Sequence, residues 1–195
     1  MKRYIFRIAA LAVLAFSGCS NDNDHPVKTP IDPLTDIYGG VSDNRGNRLQ
    51  GIVVSDGYTC TATDENGVYQ LTANEFSYHV YLSLPETYEV PIADGLTYFW
   101  QKLTDGRKRY DFMLTPLAGG AENEFNLFCV ADPQCQNTTN VSRFNNETVP
   151  DIAAQVAAST LPCYGITLGD ITDNNRTAIW EAMKKAMASI AGSVP

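Results

Sequence analysis

The chain has 195 residues, 44% hydrophobic, 18% charged and 10% aromatic, a composition of globular protein that excludes disorder and collagen-like structure. Its 22 acidic residues outnumber 14 basic ones, for a formal charge of −8. That balance argues against nucleic-acid binding through a basic face.

The chain opens as an export signal. Lys2, Arg3 and Arg7 precede an apolar run over 8–16, which is too short to span a bilayer and ends in Phe16-Ser17-Gly18-Cys19. This ending resembles a bacterial lipobox. It implies a signal peptide over 1–18, a lipid on Cys19 that anchors the chain to a membrane, and a place in the bacterial cell envelope, periplasmic or surface-exposed on the outer membrane. A plain signal peptide with an incidental cysteine is the other reading. Residues 19–35 read as an acidic tether, because Ser20-Asn21-Asp22-Asn23-Asp24 cannot contribute to a core. In an oxidising compartment Cys60, Cys129, Cys135 and Cys163 would allow three disulfide pairings, and none has the Cys-x-x-Cys spacing of a zinc or redox site. The Asn-x-Ser/Thr sites at Asn137, Asn140, Asn146 and Asn175 carry little meaning behind a bacterial export signal.

Residues 36–118 carry short β-branched and aromatic runs at 37–41, 51–55, 58–63, 68–72, 78–84, 97–103 and 110–115, separated by turns. This rhythm predicts an antiparallel β-sandwich. Asp43-Asn44-Arg45-Gly46 and Asp64-Glu65-Asn66-Gly67 place Gly or Asn where a turn needs positive φ. His79 lies in a strand pattern and reads as a residue facing solvent or a satisfied partner. Tyr98, Phe99 and Trp100 read first as sandwich core, with a sugar-binding surface as the alternative.

After Gly119-Gly120 the pattern changes. Apolar runs at 125–130 and 163–168 read as buried parallel strands, ending in Ala131-Asp132-Pro133-Gln134 and Gly169-Asp170. Between them Pro150 and Asp151 suit the first turn of a helix whose one face carries Val149, Ile152 and Val156, a plausible βαβ crossover. A second helix carries the stripe Ile179, Met183, Met187 and Ile190, with Glu181 in reach of Lys184 or Lys185. Sites of α/β sheets lie at the carboxyl ends of strands, so Asp132, Gln134 and Asp170 are candidate hard-oxygen ligands for a divalent cation. Asp-Pro and Gly-Asp are also ordinary turn openings, which is the competing structural reading.

Two resemblances bear on function. The stretches Gly51-Ile52-Val53-Val54-Ser55-Asp56-Gly57-Tyr58 and Thr63-Asp64-Glu65-Asn66-Gly67-Val68-Tyr69-Gln70-Leu71, with the closing Tyr110-Asp111-Phe112-Met113-Leu114, resemble the prealbumin-like sandwich that precedes the catalytic domain of bacterial calcineurin-like phosphoesterases. Asp132-Pro133-Gln134 and Leu168-Gly169-Asp170-Ile171-Thr172-Asp173 resemble the first two motifs of that catalytic domain. The resemblance implies that Asp132 ligates one metal, that Gln134 takes a place usually held by histidine, and that Asp170 bridges two divalent ions acting on a phosphate ester. The family's later Gly-Asn-His and Gly-His-x-His motifs have no counterpart here, since His25 and His79 are the two histidines of the chain. Residues 121–195 therefore read as the opening βαβα of an incomplete catalytic domain, inactive as it stands, with an uncovered apolar face and marginal stability. A non-enzymatic surface sandwich that binds glycan or protein is the alternative function. A third reading is a complete α+β protein whose Asp132 and Asp170 have no metal role.

Overall fold

The computed structural model describes residues 29–173 and 176–195, so the signal peptide, Cys19, most of the tether and Asn175 lie outside the described residues. The architecture is mainly β, with a sandwich followed by a small α/β unit. Residues 29–35, read from sequence as the end of the tether, lie against the sandwich. The Asp32 amide and the Thr35 hydroxyl both donate to Gln70 Oε1, at 2.8 and 3.1 Å, and Thr35 is buried.

The sandwich pairs two sheets. One has the order β4-β1-β9, with β1 (Ile37–Asp43), β4 (Val68–Leu71) and β9 (Phe112–Leu114). The other has the order β3-β2-β5-β8, with β2 (Val53–Ser55), β3 (Cys60–Ala62), β5 (His79–Leu82) and β8 (Trp100–Lys102). Pairing is antiparallel as predicted, except that β1 runs parallel to β9, with Val41 opposite Phe112 and Asp43 opposite Leu114. A small hairpin, β6 (Ile92–Ala93) and β7 (Leu96–Thr97), was not foreseen.

Inward positions of both sheets supply Val41, Val54, Val80, Leu82 and Leu114, with Tyr69 and Tyr110 fully buried among them. Each such side chain contributes about 1.5–3 kcal/mol by leaving water. The Tyr69 hydroxyl donates to the Tyr110 carbonyl at 2.5 Å, which satisfies the polar end of a buried ring. Gly39 is required at this crossing, because a Cβ there would lie 1.9 Å from the Tyr110 carbonyl oxygen. Both Asp-x-x-Gly turns form as expected: Asp43 accepts from the Arg45 and Asn47 amides, Asp64 from those of Asn66 and Val68, and Gly46 and Gly67 take φ of 85° and 70°.

The aromatic segment divides between the two sequence readings. Phe99 packs against the core, whereas Tyr98 and Trp100 stand exposed on the outer sheet face, which corrects the expectation that all three are core. His79 is exposed, as anticipated.

In the α/β unit β10 (Asn126–Val130) pairs in parallel with β11 (Cys163–Thr167). The crossover is more helical than the sequence suggested: ahead of the expected helix the chain already forms α1 (Thr138–Arg143) and a π-helical turn (Phe144–Thr148), which run into α2 (Val149–Ala158) without a break. Asn137 starts it by accepting from the Asn140 amide at 3.0 Å. Pro150 cannot donate inside a helix, and just before it the Val149 amide reaches back to Phe144, giving the widened turn. α2 presents Ile152 and Val156, and α3 (Thr177–Ala188) presents Ile179 and Met183, as their spacing predicted. Glu181 pairs with Lys184 at 2.8 Å.

One sheet face is covered: Phe128, Val130 and Cys163 pack with Ile152 and Val194. The other face leaves Phe125, Leu127, Cys129, Ile166 and Leu168 exposed, which corrects the reading of both runs as buried strands and agrees with the expectation of an uncovered apolar face. The four described cysteines are free thiols, Cys60 and Cys129 exposed, Cys135 and Cys163 buried, so none of the three possible disulfide pairings is formed.

Asp56 ties the sandwich loops. Its buried carboxylate accepts from the Tyr58, Thr59 and Asn74 amides and from the Ser77 hydroxyl at 2.7–3.0 Å. Burial alone would raise its pKa, and these donors outweigh that and hold it well below the usual carboxylate range. A depressed folded-state pKa means stability that is present above the unfolded value of about 4 and is lost as pH falls toward the folded value. In urea unfolding of the full chain, Asp56→Asn is expected to cost about 2 kcal/mol at neutral pH and to flatten the loss of stability below about pH 4. An unchanged pH profile in the variant would assign the acid sensitivity to other carboxylates.

Candidate functional site

Because β10 and β11 run parallel with Val130 opposite Thr167, both chains leave the sheet at the same edge. The loops that follow are zipped together. The Leu168 amide donates to the Val130 carbonyl at 3.0 Å, Gln134 to Asp170 at 2.8 Å, Cys135 to Ile171 at 3.2 Å, and Asp173 to Cys135 at 3.2 Å. Beneath them Cys135 is buried with Val141, Phe144, Ile179 and Met183, and that burial pushes its thiol pKa up. It therefore serves as the floor of the site and is not a reactive thiolate.

Asp132, Gln134 and Asp170 stand on this floor, exposed to solvent. The structure brings Gln134 and Asp170 into direct contact, Gln134 Nε2 donating to Asp170 Oδ2 at 3.0 Å, and sets Asp132 two residues before Gln134 on the same loop. All three have left-handed backbones, with φ of 44°, 37° and 44°; among the described non-glycine residues only Asp94 shares this property. Such a conformation costs about 1–2 kcal/mol per L-residue. Strain of this kind persists where surrounding structure enforces it and clusters at functional sites. Ordinary Asp-Pro and Gly-Asp turns explain one such residue each, and they do not explain Gln134.

Two carboxylates and an amide oxygen are hard donors of the type that magnesium, manganese or calcium prefers. The amide nitrogen faces Asp170 here, so a cation shared by the two side chains requires the amide to turn over and present Oε1. Among the described residues no group of three or more His, Cys, Asp or Glu converges. The donor set therefore fits one side of a hard-cation site and does not make a whole two-ion centre.

Beside the loop lies a cleft of about 440 Å³, lined by Phe128, Val130, Pro133, Asn140, Arg143 and Glu147. Arg143 Nε and Nη2 donate to the two carboxylate oxygens of Glu147, each at 3.1 Å, and each residue is the first cause of the other's pKa shift, Arg143 upward and Glu147 downward. Sequence reading missed this wall because it placed no helix ahead of Val149. The spacing of Val141, Phe144 and Thr148 ahead of Ile152 was the available helical signal.

Residues 35–117 match the family model for the N-terminal of calcineurin-like phosphoesterase. The match covers the sandwich and ends before β10, so it falls on the part of the chain that does not hold the candidate ligands. No curated protein matches the chain.

If the backbone at Gln134 is held under strain by the loop zipper, Gln134→Gly should stabilise the α/β unit by about 1 kcal/mol in urea unfolding, because glycine takes positive φ without penalty. A loss of stability would show that the side chain, and not the backbone, is what the fold needs there.

Proposed function

We propose that residues 121–195 are the opening part of a calcineurin-like catalytic domain, and that the protein they belong to is a metal-dependent hydrolase of phosphate esters held to the bacterial envelope by a lipid on Cys19. The observation that carries this reading is the set Asp132, Gln134 and Asp170, three strained residues tied across the ends of two parallel strands. The family match of the preceding sandwich supports it from an independent part of the chain.

In this reading Asp132 and Asp170 would hold divalent cations through their carboxylates. Gln134 would contribute an amide oxygen where the resemblance places an imidazole nitrogen, and an oxygen donor favours harder metals. Divalent ions bound there would activate water for attack on phosphorus and neutralise charge developing on the phosphoryl oxygens. The backbone zipper ties Gln134 and Cys135 to Asp170 and Ile171, so the two loops that carry the proposed ligands are already joined before a cation arrives. The further ligands of a two-ion centre would have to come from added polypeptide that extends the sheet. The open apolar face and the outer edge of β11, where the Gly165 amide already donates to the Pro195 carbonyl at 3.0 Å, are suited to receive it.

Calorimetric titration of the full chain with Mn²⁺ tests the proposal. Saturable binding is expected, and Asp132→Asn or Asp170→Asn should each weaken it by at least about tenfold, since loss of a ligand costs no less than loss of a supporting contact. No hydrolysis of p-nitrophenyl phosphate is expected from this donor set alone. Mn²⁺ binding that both variants leave unchanged would remove the metal assignment.

A further inference from the structure

The outer face of the β3-β2-β5-β8 sheet carries an aromatic surface that the metal reading does not use. Cross-strand register sets Cys60, Ser55, Tyr81 and Trp100 in one row, with His79 opposite Lys102 in the next. Trp100 is 38% exposed and Tyr98 45% exposed. Their ring centroids lie 6.0 Å apart, and the His79 imidazole stands at 89° to the indole with centroids 5.0 Å apart. The aromatic rings are thus fixed by neighbours and by strand pairing while remaining open to solvent, a preorganised apolar surface with little left to order on binding.

Charge narrows the occupant. The chain as a whole is acidic, yet the outward positions of these four strands, 53, 55, 60, 62, 79, 81, 100 and 102, hold no carboxylate. Lys102 is exposed there beside His79 and forms none of the ion pairs found among the described residues. One cation next to flat rings suits a ligand with an apolar ring face and a single negative group. It does not suit a polyanion, which needs a row of basic residues to offset repulsion from an acidic protein.

We infer that this face is a binding site for an acidic glycan, with a pyranose stacked on Trp100 and Tyr98 and a uronic carboxylate paired to Lys102. The site lies on the sandwich and stands independently of the metal assignment. Bound there, a glycan would gain apolar contact through the C–H face of its ring and selectivity through the one ammonium group.

Titration calorimetry on the full chain with a xylo-oligosaccharide bearing one glucuronic acid branch, with unbranched xylotetraose, and with decathymidylate separates the possibilities. Saturable binding of the branched sugar is expected, about tenfold tighter than the neutral one, the gain typical of one charge-assisted hydrogen bond. Trp100→Ala should abolish binding of both sugars. Lys102→Ala, a surface change that leaves the core untouched, should remove the preference for the acidic sugar while retaining the neutral interaction. Failure of both sugars to bind at millimolar concentration, binding indifferent to both variants, or decathymidylate binding tighter than the branched sugar would each overturn the assignment.

Discussion

Parallel pairing of β10 with β11 is the constraint on which the candidate site depends. A parallel pair ends on one side, so the residues that follow Val130 and Thr167 emerge together without any need for long-range side-chain contacts. Four backbone hydrogen bonds then carry the pairing beyond the strands and into the loops. Under that restraint Asp132, Gln134 and Asp170 adopt conformations that an unconstrained chain would avoid. The buried Cys135 and the apolar ends of α1 and α3 keep the loops from relaxing.

The two halves of the described chain are stabilised differently. The sandwich has a continuous core between two sheets, closed by the contact of Gly39 and Tyr69 with the Tyr110 backbone and by the fully satisfied Asp56. The α/β unit has two smaller clusters and one bare sheet face. Its strand-end loops are nevertheless joined to each other by four backbone hydrogen bonds. Local rigidity at the candidate site within a weakly covered unit is the arrangement expected where ligand geometry is set first and the remaining packing comes from elsewhere in the sheet.

Much of this was legible in the sequence, for identifiable reasons. Short β-branched and aromatic runs between turns located the sandwich strands, and Asp-x-x-Gly set two of its turns because a short acceptor followed by glycine satisfies that backbone. The apolar runs located β10 and β11, and the carboxylates at their ends followed from chain direction. The helical stretch before Pro150 was hidden by Thr138, Thr139, Asn140 and Ser142, residues of poor helix propensity that burial of Val141 and Phe144 overrides. Neither the parallel seating of β9 against β1 nor the outward turn of Trp100 could be read locally, since both depend on which strand becomes the neighbour. Strain at Gln134 is likewise a property of the loop zipper and leaves no mark in composition.

The central claim is that the three strained residues form one side of a cation site, and the location of a bound paramagnetic ion tests it most directly. Amide resonances of the full chain recorded during addition of Mn²⁺ should broaden first at 131–135 and 169–173, before those of the acidic turns around Asp43 and Asp64. Broadening that begins at those turns, or that spreads evenly over the acidic surface, would contradict the account and leave Asp132, Gln134 and Asp170 as strained loop residues without a metal.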